Sequence, residues 1–372
     1  MNQITVDRKS LEREIAICKK IIAGGNRHLA IIENVVLLFL PGESLVIQAT
    51  NLEHAYLGVM GKPINRKYRF SQSFPKVLVS LNRFEKVVKA IPKKKTEISL
   101  EITWDGEGLK VNGSTTIVAG MRYADYPELP KIPWGISHNP LCYEKIDQVN
   151  SIPDGGDKRA HLMSLYVNAQ AGHLVSTDGS RLYVADIPVS KLAPFMIPKK
   201  TAAILCTAQL KSNIGAVRVD RKGVFGFVET GNGFVSFRVP DGQFPDYQAI
   251  FPGRDPVAVI ATDDKQNMID VMLEAAGILN ENYKGVIINS DIEKLVVTAT
   301  NPDAGEFQRD ISKEFDFLST EPVEMAFNQA FIIDACKQMS GKGLNFSIYG
   351  ADSPGVIDDQ AGFRAVLMPM RV

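Results

Sequence analysis

Histidine, cysteine and acidic side chains are the groups here that could ligate a metal or move a proton, and their spacing decides whether they do. His28, His54, His138, His161 and His173 are scattered, and none pairs with a second ligand at helical i, i+4 spacing around a Glu. Cys18, Cys142, Cys206 and Cys336 lie far apart with no C-x-x-C among them. Three fall on apolar faces of expected helices, the pattern of buried thiols in a reducing compartment. There is no G-x-S-x-G elbow and no Walker loop, and Gly231-Asn232-Gly233 reads as a hairpin turn. Asp178-Gly179 and Asp154-Gly155-Gly156-Asp157 combine acids with glycines as turns do. Trp104 and Trp134 read as packing residues. No catalytic set, metal site or cofactor is implied, so the weight moves to binding.

The positive signal is cationic. Formal net charge is zero, 42 basic against 42 acidic residues, which excludes an all-over basic coat but permits one basic surface. An expected helix over 9–22, with Ser10 as N-cap, puts Leu11, Ile15, Cys18 and Ile22 on one stripe and Lys9, Arg13 and Lys20 opposite. A second, over 81–91, buries Phe84, Val87, Val88 and Ile91 and aligns Asn82, Lys86, Lys89 and Lys93 on its outer face. Lys199, Lys200 and Lys211 flank an expected helix over 198–212, and Lys337 lies on one over 328–339. Such faces suit contact with a phosphate backbone without base reading. An expected helix over 264–279, with Asp263, Asp264, Asp270 and Glu274, breaks the pattern.

These helices belong to a repeating frame. The string LVIQATN at 45–51 returns as LVVTATN at 295–301, with a shorter echo, LVSTD, at 174–178. Thr50, Thr177 and Thr300 stand 127 and 123 residues apart, close to one third of the 372-residue chain. Phe84 and Phe331 begin equivalent helices 247 residues apart, matching the 250 between Leu45 and Leu295. Connectors rich in Pro and Gly at 126–133 and 241–253 punctuate the chain, so domains are expected at 1–130, 131–253 and 254–372. The reading is an α+β chain of three similar domains in tandem, each two helices on antiparallel sheets. Open sheet edges need partners, and an arc of three with like ends can close on a second copy. At 45% hydrophobic and 23% charged residues the chain can build sizeable cores. No apolar run reaches the roughly 18–20 residues that span a bilayer, and the first residues are too charged for a secretory signal, so the cytoplasm is expected.

Seven strings, in order and at domain-length spacing, resemble the bacterial DNA polymerase III β subunit, or sliding clamp, family. They are ATNLE at 49–53, ADYPELP at 124–130, TDGSRL at 177–182, DGQFPDY at 241–247, TNP at 300–302, FN at 327–328 and VLMPMRV at 366–372. The resemblance implies the DNA clamp fold in a ring-shaped homodimer, a non-enzymatic processivity factor that encircles duplex DNA. Its implied partners are the DNA polymerase III catalytic subunit, a clamp loader and other proteins carrying a clamp-binding motif. It places a partner-peptide cleft at Leu162, Thr177, Gly179, Arg181, Leu182, Pro245, Ile250, Asn328, Phe331, Val366, Met368, Pro369, Met370 and Arg371. It points to Arg27, Lys86, Lys89, Tyr283 and Lys284 as DNA-facing. The implied dimer contact sets Thr116 and Val118, on an edge strand, against Ile278 and Leu279 of a second copy. The chain departs from the family at Ser180, where His is frequent, at Gln248-Ala249, where basic residues are usual, and at 27–32, which lacks a proline. An enzyme with a dispersed Asp/His/Arg site and a scaffold unrelated to DNA are the competing readings.

Overall fold

Among the described residues each α-helix but one is preceded by a short strand. Three strands follow each helix except the fifth, which is followed by four before the strand that leads into the next helix. A computed structural model describes residues 3–23, 29–61, 74–103, 106–113, 117–121, 123–133, 141–152, 159, 161–208, 210, 214–220, 222–280, 282, 284–350 and 352–371. The first third runs β1 (Gln3–Asp7), α1 (Arg8–Ala23), β2 (Asn34–Leu40), β3 (Ser44–Thr50) and β4 (His54–Met60). It continues with β5 (Lys76–Ser80), α2 (Leu81–Ala90), β6 (Glu97–Ile102), β7 (Gly108–Val111) and β8 (Ile117–Met121). The middle third holds α3 (Tyr143–Asn150), β9 (Ser164–Asn168), β10 (His173–Thr177) and β11 (Arg181–Asp186), then β12 (Phe195–Pro198), α4 (Lys199–Leu205), β13 (Val217–Val219), β14 (Phe225–Thr230) and β15 (Gly233–Arg238). The last third holds β16 (Ala258–Thr262), α5 (Lys265–Ala276), β17 (Gly285–Ser290), β18 (Leu295–Asn301) and β19 (Gly305–Asp310). It ends with β20 (Asp316–Ser319), β21 (Val323–Asn328), α6 (Gln329–Gln338), β22 (Leu344–Ile348), β23 (Gly355–Asp358) and β24 (Phe363–Leu367). The three copies of the repeated string are β3, β10 and β18.

The chain folds into two compact units, one of residues 1–143 and 200–240, the other of 144–199 and 241–372. In the first, eleven strands form one sheet in the order β1-β6-β7-β8-β5-β2-β3-β4-β15-β14-β13. β2, β3 and β4 are buried on both faces, which is why their sequences run apolar without alternation. Val36, Leu38, Leu40, Val46, Leu57, Val59 and Leu78 pack around Tyr126, whose hydroxyl accepts from the Thr50 amide at 3.1 Å. The second unit has a nine-stranded sheet, β12-β9-β10-β11-β24-β23-β22-β16-β20, and a four-stranded one, β19-β18-β17-β21.

Periodicity located the helices to within a few residues at most ends, and local chemistry explains the ends. Asp7, not Ser10, caps α1: its Oδ1 accepts from the Ser10 amide and hydroxyl, both at 2.8 Å, and these bonds hold the Asp7 carboxyl below its usual range. Asp264 caps α5 through the Gln266 amide at 2.9 Å, and Asn328 caps α6 through the Ala330 amide at 3.0 Å. The expected helix over 198–212 ends at Leu205, and Pro198 closes β12 rather than opening the helix. The expected strand over 30–40 starts as a 3-10 turn, Ala30–Glu33.

Several side chains depart from the sequence-based expectation. Of the three cysteines expected on apolar helix faces, Cys18 and Cys336 are buried but Cys206 is only half-buried, near the end of the shortened α4; Cys142, just before α3, is exposed. Lys199 is buried, its ammonium donating to the Ile152 carbonyl at 3.0 Å. Arg13 is half-buried rather than outward. Trp104, Trp134, His28, His138, Lys211 and the expected strand at 67–70 lie outside the described residues. Among the described residues no helix is long and apolar enough to cross a membrane.

Glu14 is fully buried under α1, where the Tyr56 hydroxyl donates to its Oε2 at 2.6 Å. Gly58 makes room for it, since a Cβ there would stand 2.0 Å from that oxygen. Burial pushes the Glu14 carboxyl above its ordinary value, against the Tyr56 bond, which lowers it. The folded state therefore binds its proton more tightly than the unfolded state does. The resulting penalty is absent well below the unfolded pKa and grows as pH rises through the folded value. Glu14→Gln is expected to stabilise the protein by about 1–2 kcal/mol at pH 7.5 and to lose that advantage near pH 4, in urea unfolding at both pH values.

Candidate functional site: a groove under the last residues

The site starts from a turn. After β10, the Thr177 hydroxyl donates to the Arg181 carbonyl at 2.7 Å and accepts from the Gly179 amide at 3.0 Å. Asp178 Oδ1 accepts from the amides of Ser180 and Arg181, both at 3.0 Å. Gly179 sits at φ +91°, a conformation glycine adopts without strain. The Asp178-Gly179 pair is thus a turn, as expected, but Asp178 does more than shape it. Its Oδ2 accepts from Arg181 Nε at 3.0 Å, while Arg181 Nη1 reaches Asp334 Oδ2 on α6 at 2.8 Å. The guanidinium also lies 4.2 Å from the Phe331 ring centre. Arg181 is 4% exposed and ties the turn to the first half of α6.

β11 pairs with β24, so that Leu182 faces Val366 and Arg181 faces Leu367. The chain then leaves the sheet: the Met368 amide donates to the Ser180 carbonyl at 3.0 Å, and the Met370 amide to the Ala326 carbonyl of β21 at 2.8 Å. Pro369, between them, has no N–H to satisfy. The last residues are therefore strung from the turn to β21, with Met368 42% and Met370 37% exposed. Val366, two residues before Met368, belongs to an apolar floor with Val175, Leu182, Val184, Met196 and Val356, joined by Phe244 and Tyr247 from the second connector. Ile250, Tyr166 and Phe251 are half-buried against it. Phe244 stacks on Tyr166 at 4.6 Å.

A polar group borders the floor. The Tyr247 hydroxyl lies 2.8 Å from His173 Nδ1, and Arg364 Nη2 lies 3.2 Å from His173 Nε2 and 2.6 Å from Asp186 Oδ1. Burial, reinforced by the Arg364 charge, holds the His173 imidazole below its ordinary pKa and favours its neutral form.

The fourteen expected cleft residues all fall in this one unit. Leu162, Leu182 and Val366 are buried, at 3%, 2% and 1% exposure, and present no free side chain; Leu182 and Val366 belong to the floor. Pro245, Met368, Met370 and Arg371 are exposed, and Ile250, Phe331, Asn328 and Pro369 are half-buried. Sequence reasoning missed Asp334, which an i, i+3 pairing with Phe331 on one helix face could have flagged. It also missed Phe244 and Tyr247 as walls, although both lie in the quoted connector.

Of the residues expected to face DNA, Lys86 and Lys284 are exposed, while Arg27 and Tyr283 lie outside the described residues. Lys89 is exposed but paired with Glu85 at 2.6 Å, and Glu85 also takes Lys19 at 2.9 Å, which reduces the net charge of that face. For the dimer contact, Thr116 lies outside the described residues. Val118 is 3% exposed, and β8 is not a plain edge strand. It pairs with β7 over Ile117–Ala119 and with β5 at Gly120 and Met121, so only its first half has a side without a partner strand among the described residues. A contact there would be made by backbone rather than by the Val118 side chain. Ile278 and Leu279 are half-buried just beyond α5, and Leu273 on α5 is 53% exposed.

Comparisons with known proteins bear on the fold and the sequence as a whole. Residues 249–371 match the model of the DNA polymerase III beta subunit, C-terminal domain. The beta sliding clamp of Caulobacter vibrioides is 24% identical over 396 aligned positions, covering 100% of both chains. That of Pseudomonas aeruginosa is 23% identical over 99% of both. Among solved structures, the DNA polymerase sliding clamp from Bacillus subtilis superposes with a TM-score of 0.84 at 16% identity, covering 100% of this chain and 99% of the other. The Pseudomonas aeruginosa DNA polymerase III subunit beta gives 0.81 at 20%, with full coverage of both. The chain has the fold of the bacterial DNA polymerase III β subunit over its full length, and its residues 249–371 match the model of that subunit's C-terminal domain.

Proposed function

We propose that this protein is a sliding clamp: a non-catalytic processivity factor for DNA polymerase III. Two copies, each of three similar domains, close into a ring around duplex DNA without reading its sequence. The ring tethers the polymerase catalytic subunit, is loaded by a clamp loader and serves other proteins with a clamp-binding motif, in the cytoplasm and without a cofactor. The observation that carries the reading is the segment 368–371, strung from the Thr177 turn to β21 just after Val366 of the apolar cluster, with Met368 and Met370 partly exposed. Adaptable methionines adjoining a preformed floor suit a groove that accepts several partner peptides. Tethering needs no chemistry from the protein. A linked polymerase meets its primer end at an effective concentration in the millimolar range, whatever the sequence. The exposed Lys9, Lys20 and Lys86 supply sequence-independent attraction to phosphate. Neither a dispersed catalytic site nor a DNA-independent scaffold accounts for the groove together with the full-length likeness.

The test is topological. Loaded by a clamp loader onto nicked circular DNA, the protein is expected to stay on the circle through gel filtration and to run off once the circle is cut. Equal retention on circular and linear DNA would refute the ring. The dimer contact has its own test: Ile278→Asp with Leu279→Asp is expected to convert dimer to monomer in sedimentation, and an unchanged dimer would move the interface elsewhere.

A further inference from the structure

The turn that opens the groove has a twin. In the first unit, the Thr50 hydroxyl donates to the His54 carbonyl at 3.0 Å and accepts from the Leu52 amide at 3.0 Å. Asn51 Oδ1 accepts from the amides of Glu53 and His54, at 3.0 and 2.7 Å. These are the same four bonds, atom for atom, that Thr177 and Asp178 make, 127 residues later. The likeness extends across the sheet. β4 pairs with β15 as β11 pairs with β24, and the Arg238 amide donates to the Glu53 carbonyl at 3.0 Å just as Met368 does to Ser180. The first connector, at Pro127 and Pro130, borders this turn as the second borders the other.

Where the two copies differ, the first opens a pocket. A cavity of about 90 Å³ lies between the turn, the connector and β14–β15, with Leu52, Ala55, Phe225 and Phe237 as its apolar walls. That is room for one aliphatic side chain, given that an engineered cavity of about 150 Å³ takes up benzene. Leu52 holds the position of Gly179 at φ +76° while 50% exposed, an arrangement that costs a non-glycine residue about 1–3 kcal/mol. His54, 4% exposed, also lines the cavity. Its Nδ1 is 3.0 Å from Thr201 Oγ1, and its Nε2 is buried with no hydrogen-bond partner. Glu53 Oε2 is the nearest acid, at 3.8 Å, beyond hydrogen-bond reach. Two carboxylates, Glu53 and Glu128, stand exposed at the mouth.

We infer that this pocket is a second docking site, for an extended peptide of a protein partner that places one branched aliphatic side chain in the cavity and a Lys or Arg between Glu53 and Glu128. The His54 Nε2 atom is closed off from solvent, so a peptide is favoured instead by the strand-and-turn frame this site shares with the other groove, together with the cavity and the two exposed carboxylates. At the other turn Arg181 is buried and already paired with Asp178 and Asp334, whereas Glu53 and Glu128 stand exposed here. The two sites thus select different sequences on one scaffold. The inference rests on reading the Thr177–Arg181 groove as a peptide dock.

The probes are fluorescein-labelled octapeptides of alternating leucine and lysine, or of leucine and glutamate, titrated into the full-length protein and read by anisotropy. The leucine–lysine peptide is expected to bind. Glu53→Lys with Glu128→Lys, both exposed and outside the core, is expected to weaken it by about tenfold. Met368→Ser with Met370→Ser is expected to leave it unchanged, and the leucine–glutamate peptide to bind no better than the charge-reversed protein does. The His54 ring-proton resonance is expected to shift at saturation. Equal affinity in the charge-reversed protein, or a His54 resonance that stays fixed at saturation, overturns the site. Loss of binding only in the double-serine variant also overturns it, while leaving the tail groove as a peptide dock intact.

Discussion

Removal of Met368–Val372 is expected to leave the protein folded and to weaken its affinity for a polymerase-derived peptide by about 100-fold, because most interface energy sits in a few anchors over a dry floor. The deletion takes away Met368 and Met370, the two partly exposed apolar side chains adjoining that floor. Covering the two-fifths of each that is still exposed is worth about 0.6–1.2 kcal/mol. Two main-chain bonds, to Ser180 and Ala326, are lost as well, at about 1 kcal/mol each. Calorimetry separates the two effects, since a melting point lowered by only a few degrees alongside a collapse in binding assigns the loss to the groove. Met368→Ser with Met370→Ser keeps both main-chain bonds and is expected to reproduce most of the binding defect. Undiminished binding by either variant would take the peptide elsewhere.

Arg181→Ala is expected to cost about 2–4 kcal/mol of unfolding free energy and to impair peptide binding with it, within the range for breaking a buried charged contact. The side chain is 4% exposed and holds three things at once: Asp178 in its own turn, Asp334 on α6, and the face of Phe331. Asp178 is 17% exposed and would be left with a half-buried charge, whereas Asp334, at 47%, can turn to water and contributes less. Arg181→Lys should rescue only part of the loss, since an ammonium cannot serve two carboxylates and a ring in one plane. A double-mutant cycle with Asp334→Asn, read by urea unfolding, measures the α6 share. A coupling near zero would mean that the turn and α6 hold their positions without this contact.

How much of this was legible depended on whether a residue's role was periodic. The six helices were visible because each buries a stripe at i, i+3 and i+4, as Met268, Val271, Met272 and Ala275 do on α5. The strands that feed α2, α4 and α6 were not, since runs such as VLV at 77–79 are too short for period to distinguish a strand from the start of the helix. Lys199 and Arg13 misled, and Glu14 went unread, for a common reason. A charged residue on a helix reads as solvated, and only the fold reveals the Tyr56 hydroxyl or Ile152 carbonyl that lets it be buried. The groove was reachable through resemblance alone: Thr177, Asn328 and Met368 are 191 residues apart at the extremes, and nothing local announces that β11 will pair with β24. The equivalence of the Thr50 and Thr177 turns was foreshadowed by the repeated string, but the pocket beside Leu52 was not.

The pairing of β4 with β15 sets the order in which this chain can be completed during synthesis. His54 meets Phe237 across 183 residues, and Arg181 meets Leu367 across 186. At ribosomal speeds of about 5–20 residues per second, β4 waits roughly 10–40 s for its neighbour to be made. Through that interval HAYLGVM, an apolar strand, has an unpaired edge, the kind of template that recruits other chains. β11 faces the same delay before β24 arrives. Contacts this distant along the chain slow folding on their own account, and here translation adds to the wait. The nascent protein therefore needs protection of two sheet edges, each for about half the time of its synthesis.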